Sequence, residues 1–278
     1  MSIDFATLQG LTIPEGVVTQ ITDSSGRVIW AAVTTKPVVL EVEKQTLTTY
    51  AGSTEYADEQ FILLDIYPKT NGTVKVTYGG ITKTITDTSG AEEPNAQQVY
   101  FGTFNGVSDS VATPTSGTLT IEGDYYAFAF GTYSADSKST VGYCSCITAV
   151  VDMGEVESIP TYAFYKVVET WGGTEVFPDE SEYFAELIIP NTVRSIENYA
   201  ITLLHKQSYS SGTDSWHRSV AKKIIMLAET PPTVATDDEP FGDYGKDDFT
   251  IVVPKGCGNA YKTATGWSDY ANYIVEAS

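Results

Sequence analysis

Between residues 38 and 131, apolar and polar positions alternate in short runs separated by Gly, Pro, Asn and Asp. Successive side chains of a strand point to opposite faces, so each run predicts a strand with one buried face. The last run carries Tyr126, Phe128 and Phe130 on one face, which indicates a central strand packed in a core. Seven such runs predict a β-sandwich over residues 36–146. The predicted strands are 38–42, 61–67, 73–78, 81–86, 98–104, 117–121 and 125–131.

The sharpest turn signal is the glycine pair 79–80. Two glycines supply the positive φ angles of a tight hairpin turn, which would place Tyr78 opposite Ile81 and Val74 opposite Ile85. The number and spacing of the strands are typical of an immunoglobulin-like (Ig-like) sandwich. A second hairpin signal, DSSG between two apolar runs, lies in residues 1–35. We therefore predict a separate N-terminal β-hairpin module and a mostly β protein.

The second half of the chain contains an internal repeat. The segments that begin at Val150 and Leu187 match at Val, Ser, Ile, Tyr and Ala with an offset of 37 residues, and Ile224 begins a third strand at the same step. Ile251 begins a fourth after a shorter step. One unit cannot bury its apolar side alone, so we expect these four residues to begin successive parallel strands of one ladder. The expected interior residues are Ile159, Ala163, Ile196 and Ala200.

One copy contains Leu187, Ile189, Pro190, Val193, Ile196 and Ala200, and the earlier copy contains Val156, Ile159, Ala163 and Phe164. This pattern resembles the BspA-type leucine-rich repeat family. The C-terminal run TIVVPKGCGNAYKTATGWSDYANYIVEA is similar to that family's last unit, in which a strand leads into a short helix. The resemblance implies a short leucine-rich repeat solenoid with a C-terminal capping helix over residues 147–278. Two insertions, 166–183 and 203–219, interrupt it.

The segment LTIPEGVVTQITDSSGRVIW resembles the opening of proteins that are encoded by phages and prophages of gut bacteria. This resemblance implies a shared attachment or folding module. The start MSIDFATLQG has neither the basic nor the apolar region of a signal peptide, and no apolar run reaches 18 residues. We therefore expect a protein that is made in the host cytoplasm without insertion into a membrane.

The chain has 278 residues and a formal net charge of −20. This charge repels nucleic acid phosphates, and no basic stripe reverses it locally, so we expect no nucleic acid partner. Hydrophobic residues make up 42% of the chain, which is enough to build a folded core.

Catalytic and metal-binding patterns are absent from the sequence. The only two histidines, His205 and His217, lie in or beside one insertion, too close to Asp214 and Ser215 for a normal catalytic triad. The three cysteines lack metal-ligand spacing. We predict a non-enzymatic protein with no cofactor and no metal. A carboxylate pair for glycoside hydrolysis stays open, as does calcium binding by the acidic run 237–248.

The two insertions are rich in Tyr, Trp, Ser and Gly, which is typical of recognition surfaces. We predict Trp171, Tyr209, Trp216 and His217 as ligand-binding residues; the alternative is that the two tryptophans cap their own hairpins. The leading hypothesis is a phage virion surface protein, a tail or head appendage that binds a host surface protein or glycan. It would contact other virion proteins as a homo-oligomer, because multivalency strengthens weak binding. A capsid or tail decoration protein without receptor binding, or a bacterial cell-surface adhesin, are the alternatives.

Overall fold

A computed structural model describes residues 20–22, 28–31, 35–46, 59–88, 95–104, 107–135, 140–143, 146–171, 184–209, 212–236, 239–242 and 249–278. Only the backbone is described at 20–22, 28–31, 46, 132–135, 140–143, 167–171, 205–209 and 212–216. The protein is mostly β, as predicted. It divides into two compact units, residues 1–35 and 36–278. The finer division of the second unit at residue 146 stays a prediction.

In the first unit, strands β1 (Gln20–Thr22) and β2 (Val28–Ala31) pair antiparallel. Ile21 lies opposite Trp30. The predicted N-terminal hairpin is therefore confirmed for its described residues.

In the second unit, residues 36–152 form two larger sheets and one hairpin. One sheet has the strand order β14-β3-β10-β6-β7, and the other has the order β11-β5-β8-β9 with β4 also paired to β5. The hairpin consists of β12 and β13. All seven predicted strands are present. The strands are β3 (Val38–Glu43), β4 (Gln45–Thr46), β5 (Gln60–Pro68), β6 (Thr73–Tyr78), β7 (Ile81–Thr86), β8 (Gln97–Phe104), β9 (Val107–Ser108), β10 (Ser116–Gly123), β11 (Tyr125–Phe130), β12 (Thr132–Ala135), β13 (Thr140–Tyr143) and β14 (Ile147–Asp152).

Buried side chains of the two sheets meet in one core. The ring of Tyr78 on β6 packs edge-on against Phe101 on β8 at 5.7 Å between ring centroids. The hairpin register is confirmed, because Tyr78 pairs with Ile81 and Val74 pairs with Ile85. Both turn glycines have positive φ, 56° and 81°. β11 is buried on both faces, with Tyr126 half-buried as the exception to the predicted core face.

The remaining strands form three sheets. The orders are β15-β18-β22 and β17-β21-β23-β24, both parallel throughout, and β16-β19-β20, in which β16 is parallel and β20 antiparallel to β19. The elements are β15 (Ser158–Ile159), β16 (Lys166–Trp171), β17 (Leu187–Ile189), β18 (Ser195–Ile196), β19 (Thr202–Tyr209), β20 (Gly212–Ser219), β21 (Lys223–Met226), β22 (Thr233–Val234), β23 (Thr250–Val253), α1 (Gly258–Thr263), a 3₁₀ turn (Ser268–Tyr270) and β24 (Ile274–Glu276).

The offset of 37 residues that the sequence contains is the register of parallel pairing. Ser158 pairs with Ser195, and Leu187 pairs with Ile224, each 37 residues apart. The Ser158 and Ser195 hydroxyls also hydrogen-bond at 2.8 Å. The four predicted interior residues are at most 1% exposed. Equivalent positions of successive units therefore stack directly on one another.

The prediction for Val150 is wrong. Val150 lies on β14, which pairs antiparallel with β3, so it does not begin the ladder that Leu187, Ile224 and Ile251 share. The backbone groups of this first strand are satisfied by the neighbouring sheet instead. Sequence similarity between two copies did not distinguish these two ways of pairing.

The first repeat unit packs against strand β11. The Phe130 N–H donates to the Ala163 carbonyl at 2.8 Å, and the Phe164 N–H donates in turn to Ala200 at 2.9 Å. The Phe164 ring packs against Phe130 at 5.9 Å. The core thus continues without a break from the sheets into the repeats, which explains why residues 36–278 form one compact unit.

Candidate functional site

The two segments predicted as insertions pair with each other. β16 contains all the described residues of the first segment and runs parallel to β19, and β19 and β20 form an antiparallel hairpin from the second. The register places Trp171 beside Ser208, Trp216 opposite His205, and His217 opposite Leu204. The two segments therefore contribute to one three-stranded sheet, in which β16 and β19 pair with the same 37-residue offset as β15–β18 and β17–β21.

This register divides the four predicted ligand-binding residues between two faces. Paired residues share a face, and positions alternate along each strand. Trp171 and His217 therefore occupy positions of one face, whereas Tyr209 and Trp216 occupy positions of the other. The four positions do not converge on a single site. Whether each residue binds a ligand stays a prediction.

His217 is the predicted residue whose side-chain surroundings are described. Its ring lies 4.6 Å from the Tyr199 ring and 6.3 Å from the Tyr165 ring, measured between centroids. Its Nδ1 is 4.0 Å from Oε2 of Glu239. Both the His217 and Glu239 side chains are about one quarter exposed, at 26% and 27%. The histidine thus bridges a group of tyrosines and a carboxylate at the surface.

The tyrosines come from equivalent positions of two repeat units. Tyr162 and Tyr199 are 37 residues apart, and their rings stack at 5.5 Å with only 2° between their planes. Tyr165 packs edge-on against Tyr162 at 4.9 Å. We call Tyr162, Tyr165, Tyr199 and His217 the aromatic cluster.

Both stacked tyrosines have a left-handed backbone, with φ of 60° at Tyr162 and 50° at Tyr199. A bulky residue in this region costs on the order of 1–3 kcal/mol and persists only where the surrounding structure enforces it. Here the tight turns that bury Ala163 and Ala200 enforce it, because the N–H of each alanine bonds back to the third residue before it. Asn or Gly would fit each position with less strain. The presence of tyrosine at both positions therefore points to a use for the ring.

The cluster combines aromatic faces with hydrogen-bonding groups. Tyr162, Tyr199 and His217 are half-buried, so parts of their rings face solvent. The Glu239 carboxylate lies beside them, and the buried Oδ1 of Asn198, next to Tyr199 in the chain, has no hydrogen-bond partner among the described residues. Aromatic faces bind the apolar faces of sugar rings, and carboxylates accept hydrogen bonds from their hydroxyls. The arrangement suits a saccharide or a polar peptide.

Tyr162 and Tyr199 were not among the binding residues that the sequence predicted. The signal was present, because the tyrosine is one of the residues that match between the two repeat copies. We assigned the match to the stacked core, whereas the neighbouring alanines fill the core and the tyrosines lie at its surface.

Metal sites and membrane-spanning helices can be sought only among the described residues. No group of three or more His, Cys, Asp or Glu side chains in these ranges is placed to hold a metal ion. The acidic run 237–248 lies outside the described residues except for 239–242. No helix in the described part of the chain is both long and apolar enough to cross a bilayer.

Comparison of the chain with protein-family models and with curated proteins gives no match.

Proposed function

We propose that the protein is a non-enzymatic phage virion surface protein, a tail or head appendage that binds a host surface protein or glycan. The observation that carries this proposal is the aromatic cluster, in which two repeat units each place a strained tyrosine at one surface. Such a surface can bind without any catalytic group. The phage assignment itself rests on the resemblance of the N-terminal segment.

The proposed architecture is an N-terminal hairpin module, an Ig-like β-sandwich and a BspA-like leucine-rich repeat solenoid. The solenoid interpretation is supported by three parallel strand pairings that share a 37-residue offset and by the burial of equivalent apolar residues. The short helix α1 contains the expected Tyr261 and supports the proposal of a C-terminal cap. A stacked array suits recognition, because its repeated turns place equivalent side chains along one surface.

The experiment compares binding of the intact protein to host cells and to their purified surface glycans. The double variant Tyr162→Asn and Tyr199→Asn removes both rings. Asparagine tolerates the left-handed backbone of these two positions. We expect binding to weaken at least about ten-fold, a typical loss for aromatic anchors, with little change in melting temperature. The matched control Tyr126→Asn removes a half-buried tyrosine of β11 that is not a member of the cluster.

Retention of full binding by a folded double variant would contradict the role of the cluster. A loss of binding in proportion to unfolded protein would show instead that the tyrosines are structural. A control that loses as much binding as the double variant would also contradict the proposal.

A second candidate function is a structural virion component without receptor binding, which a specific observation favours. Ile188, Ile225, Val252 and Val275 pair in one row across the sheet β17-β21-β23-β24, on the face opposite the core. Ile188 and Val275 at its ends are 43% and 47% exposed. Contiguous exposed aliphatic residues are typical of protein interfaces. This row would contact another virion protein or a second copy of the chain.

A further inference from the structure

A groove of about 470 Å³ lies between two consecutive turns of the repeat array. One turn follows β17 and the other follows β21, so the groove opens where two parallel strands end. Its volume is within the range of ligand sites in proteins, about 300–1,000 Å³. The residues that the argument uses are Asn191, Arg194, Leu227, Glu229, Thr230 and Pro231.

The groove exists because one repeat unit is a residue longer than the other. Leu187 pairs with Ile224 at an offset of 37, but after the turn Ser195 pairs with Thr233 at an offset of 38. The extra residue therefore lies between β21 and β22, in the turn that contains Pro231. At the preceding step, Ser158 pairs with Ser195 at an offset of 37, and the Thr192 hydroxyl donates to the Val156 carbonyl at 2.8 Å. At the groove, the Thr233 hydroxyl donates to the Arg194 carbonyl at 3.0 Å.

Buried aromatic residues of the C-terminal segment hold the longer turn at both ends. The Tyr261 hydroxyl donates to the Ala228 carbonyl at 2.7 Å, and Nε1 of Trp267 donates to the Pro232 carbonyl at 2.8 Å. Both rings are fully buried. The two adjacent prolines restrict the turn further, because each fixes its own φ. The groove is therefore preformed, which lowers the entropic cost of binding.

The groove presents charges of both signs beside an apolar wall. Arg194 and Glu229 are both exposed, and neither side chain takes part in an ion pair within the described ranges. Leu227, which is 50% exposed, lines the groove. The prolines and Leu227 offer contact to aliphatic groups. A ligand that carries charges of both signs would complement Arg194 and Glu229.

We propose that this groove binds an extended peptide segment of a partner protein, with an aliphatic side chain in the groove. An acidic side chain of the peptide pairs with Arg194, whose planar guanidinium suits a carboxylate. Glu229 accepts from a basic side chain or from main-chain N–H groups. A glycan is the less suitable occupant, because no aromatic ring is among the groove residues that the structure describes. The proposal is independent of the aromatic cluster, which lies on other turns.

The experiment screens the intact protein against a display library of random linear peptides. Each enriched peptide is then compared with a version in which Ser replaces its aliphatic residues. The variants are Arg194→Gln, Glu229→Gln and Thr230→Trp, the last of which fills the groove from an exposed position. Lys255→Gln is the matched control, because it removes an exposed cation from a turn outside the groove. Melting temperatures confirm that each variant is folded.

We expect enriched peptides to contain an aliphatic residue flanked by acidic and basic residues. Each groove variant should weaken their binding at least about ten-fold, and the control should not. The same variants should leave binding to host glycans unchanged, which separates this site from the aromatic cluster. The proposal is overturned if no peptide binds better than its Ser version, if folded groove variants bind normally, or if Arg194→Gln abolishes glycan binding.

Discussion

The hydrogen bond from Tyr261 to Ala228 allows a quantitative test of how the C-terminal segment holds the repeat array. Tyr261→Phe removes one oxygen and leaves the ring, which is fully buried and packs edge-on against Trp267 at 4.8 Å. Burial raises the pKa of the Tyr261 phenol, so the hydroxyl stays a donor at neutral pH. The variant therefore loses the donor and little packing.

The cost follows from the carbonyl that is left behind. The Ala228 carbonyl accepts this bond at 2.7 Å in a buried setting, and a buried acceptor without its donor costs about 1–3 kcal/mol. For a unit of this size the melting temperature should fall by about 2–12 °C. The control is Tyr126→Phe on β11, because the Tyr126 hydroxyl has no hydrogen-bond partner among the described residues. This control should change the free energy of unfolding by less than about 0.5 kcal/mol.

Two measurements form the assay. Tryptophan fluorescence monitors unfolding in urea, and amide hydrogen exchange reports on the turn. We expect faster exchange at residues 228–230 in Tyr261→Phe, because the turn that contains them loses one of its two anchors. Unchanged stability together with unchanged exchange in that turn would refute the reasoning. Equal destabilisation by the control would refute it as well.

Three further predictions follow from single contacts. Gly154→Ala should destabilise the protein by more than about 1 kcal/mol in urea unfolding, because its φ is 60° and an added Cβ would clash with the Tyr125 hydroxyl. Two backbone N–H groups, those of Gly256 and Gly258, donate to the Glu276 carboxylate and lower its pKa. Glu276 therefore stabilises the fold fully above the ordinary glutamate pKa, and this stabilisation is lost as the pH falls through the lowered pKa. In thermal melts, Glu276→Gln should make the melting temperature depend less on pH in this acid range. Ile225→Asp should reduce assembly into particles, measured by sedimentation, without lowering glycan binding.

Local signals predicted the parts of the fold whose physics is local. The glycine pair 79–80 determined a hairpin register, because only a primed turn matches the twist of the two strands. The 37-residue offset is the register of three parallel strand pairings, because stacked units bury equivalent residues. Both signals lie within or between neighbouring segments of the sequence.

The parts that the sequence did not predict depend on a partner that is distant in the chain or on a feature that the repeat pattern conceals. Val150 resembles Leu187 in its own segment, yet its strand pairs with β3, more than 100 residues earlier. The segments that interrupt the repeat pattern form paired strands. Their polar residues do not match the apolar repeat pattern, so the sequence did not predict this register. The groove arises from one extra residue near Pro231, which an alignment absorbs as a gap.

The proposed role as a virion surface protein is tested most directly by labelling intact phage particles. Particles induced from a bacterial strain that carries this gene would be purified, treated with a membrane-impermeant amine label and analysed by mass spectrometry. The account predicts that this chain is present at a fixed ratio to the capsid protein and that its exposed lysines, Lys255 among them, are labelled. Its absence from purified particles, or its presence on the surface of uninfected cells, would contradict the account.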